Sequence, residues 1–220
     1  GNYDLDNNNN FDSRGFPAVD YMLHGLAESK DGIINNCISN PSYSQYLSDL
    51  VNNMISNTNL IIDDWDSYRE EFINLSSNTA TSSVNKMTND FIYYFEKGLR
   101  ANKIGIPAGI FSSDPLPHTV EAYYKQDVSK ELVTQALNAS KNFYLGNSFN
   151  SNLNFSSNIS GLSLKSYLNY LYPGENNISS VIETQFENAF NQLSQLNDNF
   201  VTQIEFNNID MLLTYDAIQL

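Results

Sequence analysis

Asn40-Pro41-Ser42-Tyr43 opens the stretch whose reading decides the fold. An asparagine side chain can accept a hydrogen bond from a free amide of a first helical turn, and a proline at the first position has the right φ already set. The pair therefore predicts a helix start at Pro41. From there Tyr43, Leu47, Leu50, Met54, Ile61, Trp65, Tyr68, Phe72 and Leu75 recur at intervals of three, four or seven residues. That spacing places them on one helical face. A stripe of this length implies a helix of about 50 Å, with Asn57-Thr58-Asn59 as the patch where it could bend. A helix that long needs partners, so the expected architecture is long helices packed side by side.

Working outward, residues 1–15 are polar and Asn-rich and predict an irregular segment. Pro17 starts a short helix whose Phe16, Val19, Met22, Leu23 and Leu26 share a face. Beyond the long helix, Val84, Met87, Phe91, Tyr94 or Phe95, and Leu99 form a second stripe ending near Asn102. Ile104-Gly105-Ile106-Pro107-Ala108-Gly109 then breaks the pattern and marks a junction continuing through Pro115 and Pro117. Ser129 is placed as the cap of a helix stopped by Gly146. Residues 147–160 read as a surface loop, and Ser163 to Tyr172 as a short helix ended by Pro173-Gly174. Ile178, Ile182, Phe186, Ala189, Leu193, Leu196 and Phe200 predict one long helix, and 206–218 a last one. No convincing period-two strand occurs. The chain reads as all-α, two packed bundles of long antiparallel helices, with residues 1–110 in the first and 111–220 in the second.

Composition narrows the functions. With 220 residues, 41% of them hydrophobic, the chain can build a core and is not a disordered tail. Its 25 acidic and 11 basic residues give a net charge of −14. Such a chain repels phosphate backbones and anionic membrane surfaces and attracts cations. No apolar run approaches the length of a membrane span. The single Cys37 cannot form an internal disulfide and lacks a basic neighbour to activate it. Asparagine accounts for 33 residues, but these lie among regularly spaced apolar positions and do not form a low-complexity tract.

Signatures of common catalytic sites are missing: no His-Glu-x-x-His, Cys-x-x-Cys, Gly-Lys phosphate loop or Gly-x-Ser-x-Gly. His24 and His118 are far apart in the chain, and each reads as a helix-end or loop residue. Asp63, Asp64, Asp66, Glu70 and Glu71 could group oxygens for a hard cation, but a solvated helical face accounts for them equally well. Asp4, Asp6 and Asn7 to Asn10 have the composition of a calcium loop without its central glycine or closing glutamate.

Four short segments resemble the imelysin-like family, exported bacterial helical proteins also known as insulin-cleaving peptidases. They are Arg14-Gly15-Phe16-Pro17-Ala18-Val19-Asp20-Tyr21-Met22-Leu23-His24-Gly25, Lys103-Ile104-Gly105-Ile106-Pro107-Ala108-Gly109, Val120-Glu121-Ala122-Tyr123-Tyr124 and Ile209-Asp210-Met211-Leu212-Leu213-Thr214-Tyr215. They occur in the family's order and span nearly the whole chain. The family's domain has further helices ahead of the first motif, so the resemblance implies an N-terminally incomplete first bundle. Its metal motif is Gly-x-His-x-x-Glu. Here Gly15 matches, Pro17 stands at the histidine position and Asp20 at the glutamate position. Proline can neither ligate a metal nor move a proton, which leaves Asp20 as the one candidate metal ligand and no catalytic residue.

The resemblance therefore implies an exported, non-catalytic binding protein linked to iron or haem acquisition, in the periplasm or anchored at the outer-membrane surface, with a lipid anchor upstream compatible with this. Iron or haem is the candidate ligand, and Arg14, Asp20, Asp210 and Tyr215 are the candidate binding residues. One alternative is a metal-dependent peptidase drawing ligands from Glu121, Asp63 or His118. Another is a cell-surface glycan-binding protein, which the fourteen tyrosines favour, although Tyr43 and Tyr68 fall on the apolar stripe.

Overall fold

The computed structural model describes residues 3–149, 155–156, 162–174 and 177–219. Among these residues the regular structure is helical apart from one minimal antiparallel pair, β1 (Ser148–Phe149) with β2 (Phe155–Ser156), in register Ser148 to Ser156. The pair interrupts the loop expected over 147–160, whose remaining residues 150–154 and 157–160 lie outside the described ones. The all-α reading holds. Contacts divide the chain into two units, Gly1–Thr88 with Ala122–Lys125, and Asn89–Glu121 with Gln126–Leu220.

In the first unit, α1 (Gly15–Asp20) runs on as a π-helical segment, Tyr21–Gly25. After α2 (Lys30–Ser39) comes α3 (Pro41–Asn74), capped as its sequence dictates by the Asn40 side chain and opened by Pro41. It runs 34 residues without a break at Asn57-Thr58-Asn59. The N-terminal segment is more ordered than its composition suggests. A 3-10 turn, Asn8–Ser13, is tied to α3 by hydrogen bonds from Tyr3 to Asp49, from Tyr46 to the Ser13 carbonyl and from Asn53 to Asp6. The Asp6 carboxylate thus holds an amide in the stretch whose composition hinted at calcium.

The core of this unit is small. Ala18, Met22 and Leu50 are buried, with Leu5, Val19, Leu26, Tyr46 and Leu47 packed against them. Among the described residues, Ser83 bonds the Phe72 and Leu75 carbonyls at the C-terminal end of α3, and the stripe meets the buried core near its N-terminal end. Further along, Ile61 is 70% exposed and Trp65 45%. Periodicity predicted a face, and half of that face is uncovered.

In the second unit, the stripe begun by α4 (Ser83–Tyr93) continues as a π-helical segment, Tyr94–Gly105, three residues past the expected end. The Ile106 amide reaches five residues back to the Ala101 carbonyl. Pro107 has no amide hydrogen, and its ring crowds the carbonyl one turn back. A widened register ahead of it relieves that conflict. A short turn α5 (Ile106–Ala108) follows, then α6 (Ser129–Leu145), which Gly146 closes in the left-handed conformation. Ser129 was expected as the cap of α6 but is its first helical residue; its hydroxyl instead donates to the Gln126 and Glu121 carbonyls.

The last three helices are α7 (Leu164–Leu171), opened by a reciprocal Ser163–Ser166 capping box, α8 (Ile178–Ser194) and α9 (Phe200–Ala217). The single helix expected from Ile178 to Phe200 is in fact two. Leu196 and Phe200 are buried as the stripe requires, but the chain turns between them, and Asn199 caps α9 by accepting from the Thr202 amide. An asparagine that accepts an amide bond at a helix start competes with helix continuation. The core here is deep: Leu99, Ile104, Leu137, Phe186, Leu193, Met211 and Ile218 are all fully enclosed.

Candidate functional site

Asp20 ends α1, and each oxygen of its carboxylate accepts a main-chain amide. One oxygen accepts the Tyr124 amide at 2.9 Å and the other the Lys125 amide at 3.0 Å. These donors belong to the 122–125 turn, entered through Ala122 at φ +55°. An amide in an irregular turn has no ladder partner, and an ionised carboxylate is a strong acceptor for it. The Tyr124 ring packs edge-on to Tyr21 with centroids 5.1 Å apart. Gly25 makes room for this, because a Cβ there would lie 2.6 Å from both rings.

Arg14 does not pair with Asp20. Its guanidinium donates to the Leu5 carbonyl at 2.6 Å and lies over the Phe11 ring at 4.4 Å. Both Arg14 and Asp20 thus tie down backbone within the first unit.

The other two candidate binding residues lie on α9 in the second unit. Asp210 accepts from the Asn207 side chain at 2.7 Å, beside the non-helical Asn207 backbone. Tyr215 is held more tightly. Arg100 lies 3.8 Å above its ring, donates through Nε to the Tyr215 carbonyl, and reaches Glu96 and Gln219 through its other nitrogens. Phe111 meets the ring edge-on, and Gly105 makes room below, where a Cβ would approach to 2.6 Å. Composition did not point to Arg100. The Glu96–Arg100 spacing, one helical turn, was its available signal.

Among the remaining chemistry-bearing groups, Glu121 pairs with Lys103, and Tyr94, exposed at one side, lies near it. Burial pushes the Tyr94 phenol above its usual range, and the Glu121 charge adds to this. His24 and His118 are exposed, as is Asp63 midway along α3. Cys37 is half-buried. No group of three or more His, Cys, Asp or Glu side chains among the described residues is arranged to hold a metal ion. A cleft of about 570 Å³ in the second unit is lined by Leu171, Tyr172, Pro173, Gly174, Asn177 and Ile178. Tyr172 of this lining is exposed, as are Tyr167 and Tyr170 on α7.

The family model for imelysin matches residues 2–219, and the chain belongs to the imelysin family. No curated protein and no solved structure matches it. Metal chemistry of the His-x-x-Glu kind does not fit Pro17 and Asp20, the residues that the resemblance places at that motif. Pro17 offers no ligand atom, and both Asp20 oxygens are already hydrogen-bonded to main chain. No helix among the described residues is long and apolar enough to cross a membrane.

Proposed function

We propose that this imelysin-family chain is an exported, non-catalytic binding protein linked to iron or haem acquisition. Asp20 carries the non-catalytic part: in this reading it is an anchor for the 122–125 turn, with no histidine beside it. A hydrolytic metal needs several ligands, an open position and a base to activate water, and the motif offers none of these freely. The iron or haem link draws on family membership and on a charge of −14 that concentrates cations near the surface.

Calorimetric titration with ferric iron and with haem tests this, alongside incubation with an unfolded protein substrate with and without chelator. The reading expects saturable heat with one of the two ligands, undiminished in Asp20→Ala, and no cleavage. No heat with either removes the iron link. Chelator-sensitive cleavage replaces the proposal with a metal-dependent peptidase.

A second reading, glycan binding, is favoured by the exposed Tyr172 in the α7–α8 cleft and the exposed Tyr167 and Tyr170 on α7, since tyrosine faces suit the apolar face of a sugar ring. Binding to a polysaccharide panel that is lost in Tyr170→Ala would support it; a blank panel would remove it.

A further inference from the structure

Tyr167, Tyr170 and Tyr172 crowd into six residues and face solvent, at 50%, 80% and 60% exposure. Among the described residues, none of these rings meets another ring and none of these hydroxyls is hydrogen-bonded. Other tyrosines are used by the fold: Tyr46 donates to a carbonyl, Tyr21 and Tyr124 pack on each other, and Tyr215 meets Arg100 and Phe111. Tyr167 and Tyr170 are three apart on α7 and so are neighbours on one helical face. Tyr172 follows at the helix end and lines the cleft with Leu171, Pro173 and Ile178. The support beneath is fixed. A capping box opens α7, Lys165 pairs with Glu183 of α8, and Asn169 accepts from the Asn177 side chain at the start of α8. An aromatic platform already held in place loses little freedom when a ligand binds.

We infer, building on the glycan reading above, that α7 and the cleft at its C-terminal end bind an uncharged oligosaccharide, with Tyr170 and Tyr172 as stacking faces. A sugar ring presents an apolar C–H face that covers a tyrosine ring, and rim hydroxyls that a phenol can both donate to and accept from. The cleft has the volume of a small-molecule site, about 570 Å³, and no charged residue lines it. Lys165, the only charged residue of α7, is neutralised by Glu183. Among the described residues no cation is left there to hold a uronate or sulfate group, and a net charge of −14 repels both. A protein partner needs more room: a stable interface covers about 800 Å² on each side, whereas α7 is only about 12 Å long.

The test is calorimetric titration of the full chain with short neutral hexose oligomers, one α-linked and one β-linked, with the single sugar, and with a uronate oligomer. At least one neutral oligomer is expected to bind saturably, about tenfold or more tighter than the single sugar, because several rings engage at once. The uronate oligomer is expected to give no heat. Tyr170→Ala and Tyr172→Ala should each weaken the neutral oligomer about tenfold, while Tyr170→Trp, which keeps a flat ring, retains it. Tyr93→Ala, which removes a tyrosine 69% exposed at the end of α4, should change nothing. Circular dichroism should be the same for all four variants.

Uronate bound as tightly as the neutral oligomer, with Tyr170→Ala losing both, would keep glycan binding and overturn the uncharged class. Equal affinity for the single sugar would overturn the oligosaccharide. Neutral-oligomer binding that survives both alanine variants would put the glycan elsewhere and overturn the site. No heat with any sugar would remove glycan binding altogether. Self-association in sedimentation that Tyr170→Ala abolishes, with no sugar bound, would give the face to a second copy.

Discussion

The two units use one local device with opposite charges. In each, a π-helical segment ends in a glycine, and that glycine seats a tyrosine ring: Gly25 seats Tyr124, and Gly105 seats Tyr215. In the first unit a carboxylate, Asp20, holds two main-chain amides. In the second a guanidinium, Arg100, holds a main-chain carbonyl and covers the ring. Each charge is used by the backbone, which is how an ionised group can be kept in a fold without a catalytic role. The units differ in what surrounds the device. The first has a core of a few side chains and a long, half-covered helix; the second encloses a larger set of aromatic and aliphatic residues, Leu99, Leu137, Phe186 and Met211 among them.

That contrast predicts unequal consequences for core truncation. Phe186→Ala should cost about 3–5 kcal/mol and be seen as a lower urea midpoint of the whole second unit. Leu50→Ala should remove enough of a small core to release protection from hydrogen exchange throughout α1 and α3, while α8 and α9 amides keep theirs. If α8 and α9 lose protection equally in Leu50→Ala, the two units are one cooperative body and the contrast fails.

A smaller effect is expected at the ring seats. Gly105→Ala puts a methyl group 2.6 Å from the Tyr215 ring and should cost about 1–3 kcal/mol by overpacking. Gly25→Ala should cost a comparable amount against Tyr21 and Tyr124. Thermal melts of the two variants, each paired with its tyrosine-to-leucine rescue, would sharpen the comparison: rescue in both shows one device used twice, and rescue in neither dissolves it.

The hydroxyl of Tyr144 is buried near Ser179 but makes no well-formed hydrogen bond among the described residues. Removing it should be neutral or mildly stabilising, so Tyr144→Phe is expected within about 0.5 kcal/mol of the parent in denaturant titration. The subtlest test is alkaline. The hydrogen bond to Asp49, with some desolvation and the Asp49 charge, pushes the Tyr3 phenol up to about 12. Between pH 10 and about 12 the unfolded chain holds fewer protons at this group than the folded one, so the stability it contributes is lost as pH rises. Tyr3→Phe should flatten that part of the pH–stability curve. An unchanged slope would show that Asp49 does not hold the phenol in solution.

Much of the helix map could be read from residue spacing. Asn40-Pro41, Gly146 and Ser163 fixed boundaries because each acts through its own backbone or nearest turn. Ser129 and the break between α8 and α9 were misplaced because serine and asparagine can serve several local acceptors and donors, and neighbours several residues away choose among them. The extent of α3 was predictable; its lack of cover was not, because a periodic stripe says which side is apolar and nothing about what meets it. At the candidate site, Asp20 was located by its place in a motif. Its partners, two amides roughly a hundred residues later in the chain, carry no side-chain identity, so no residue pattern could announce them. Arg100 and Tyr215 meet for a similar reason, through a carbonyl and a ring brought together by α9.

Amide hydrogen exchange at Tyr124 and Lys125, with and without added ferric iron or zinc, tests most directly whether Asp20 works as a backbone anchor. Both amides should exchange slowly in the parent protein, remain slow when metal is added, and become fast in Asp20→Ala. Fast exchange induced in the parent by metal, at concentrations that leave Asp20→Ala unaffected, would show that the carboxylate leaves the turn to bind an ion, and would contradict the account.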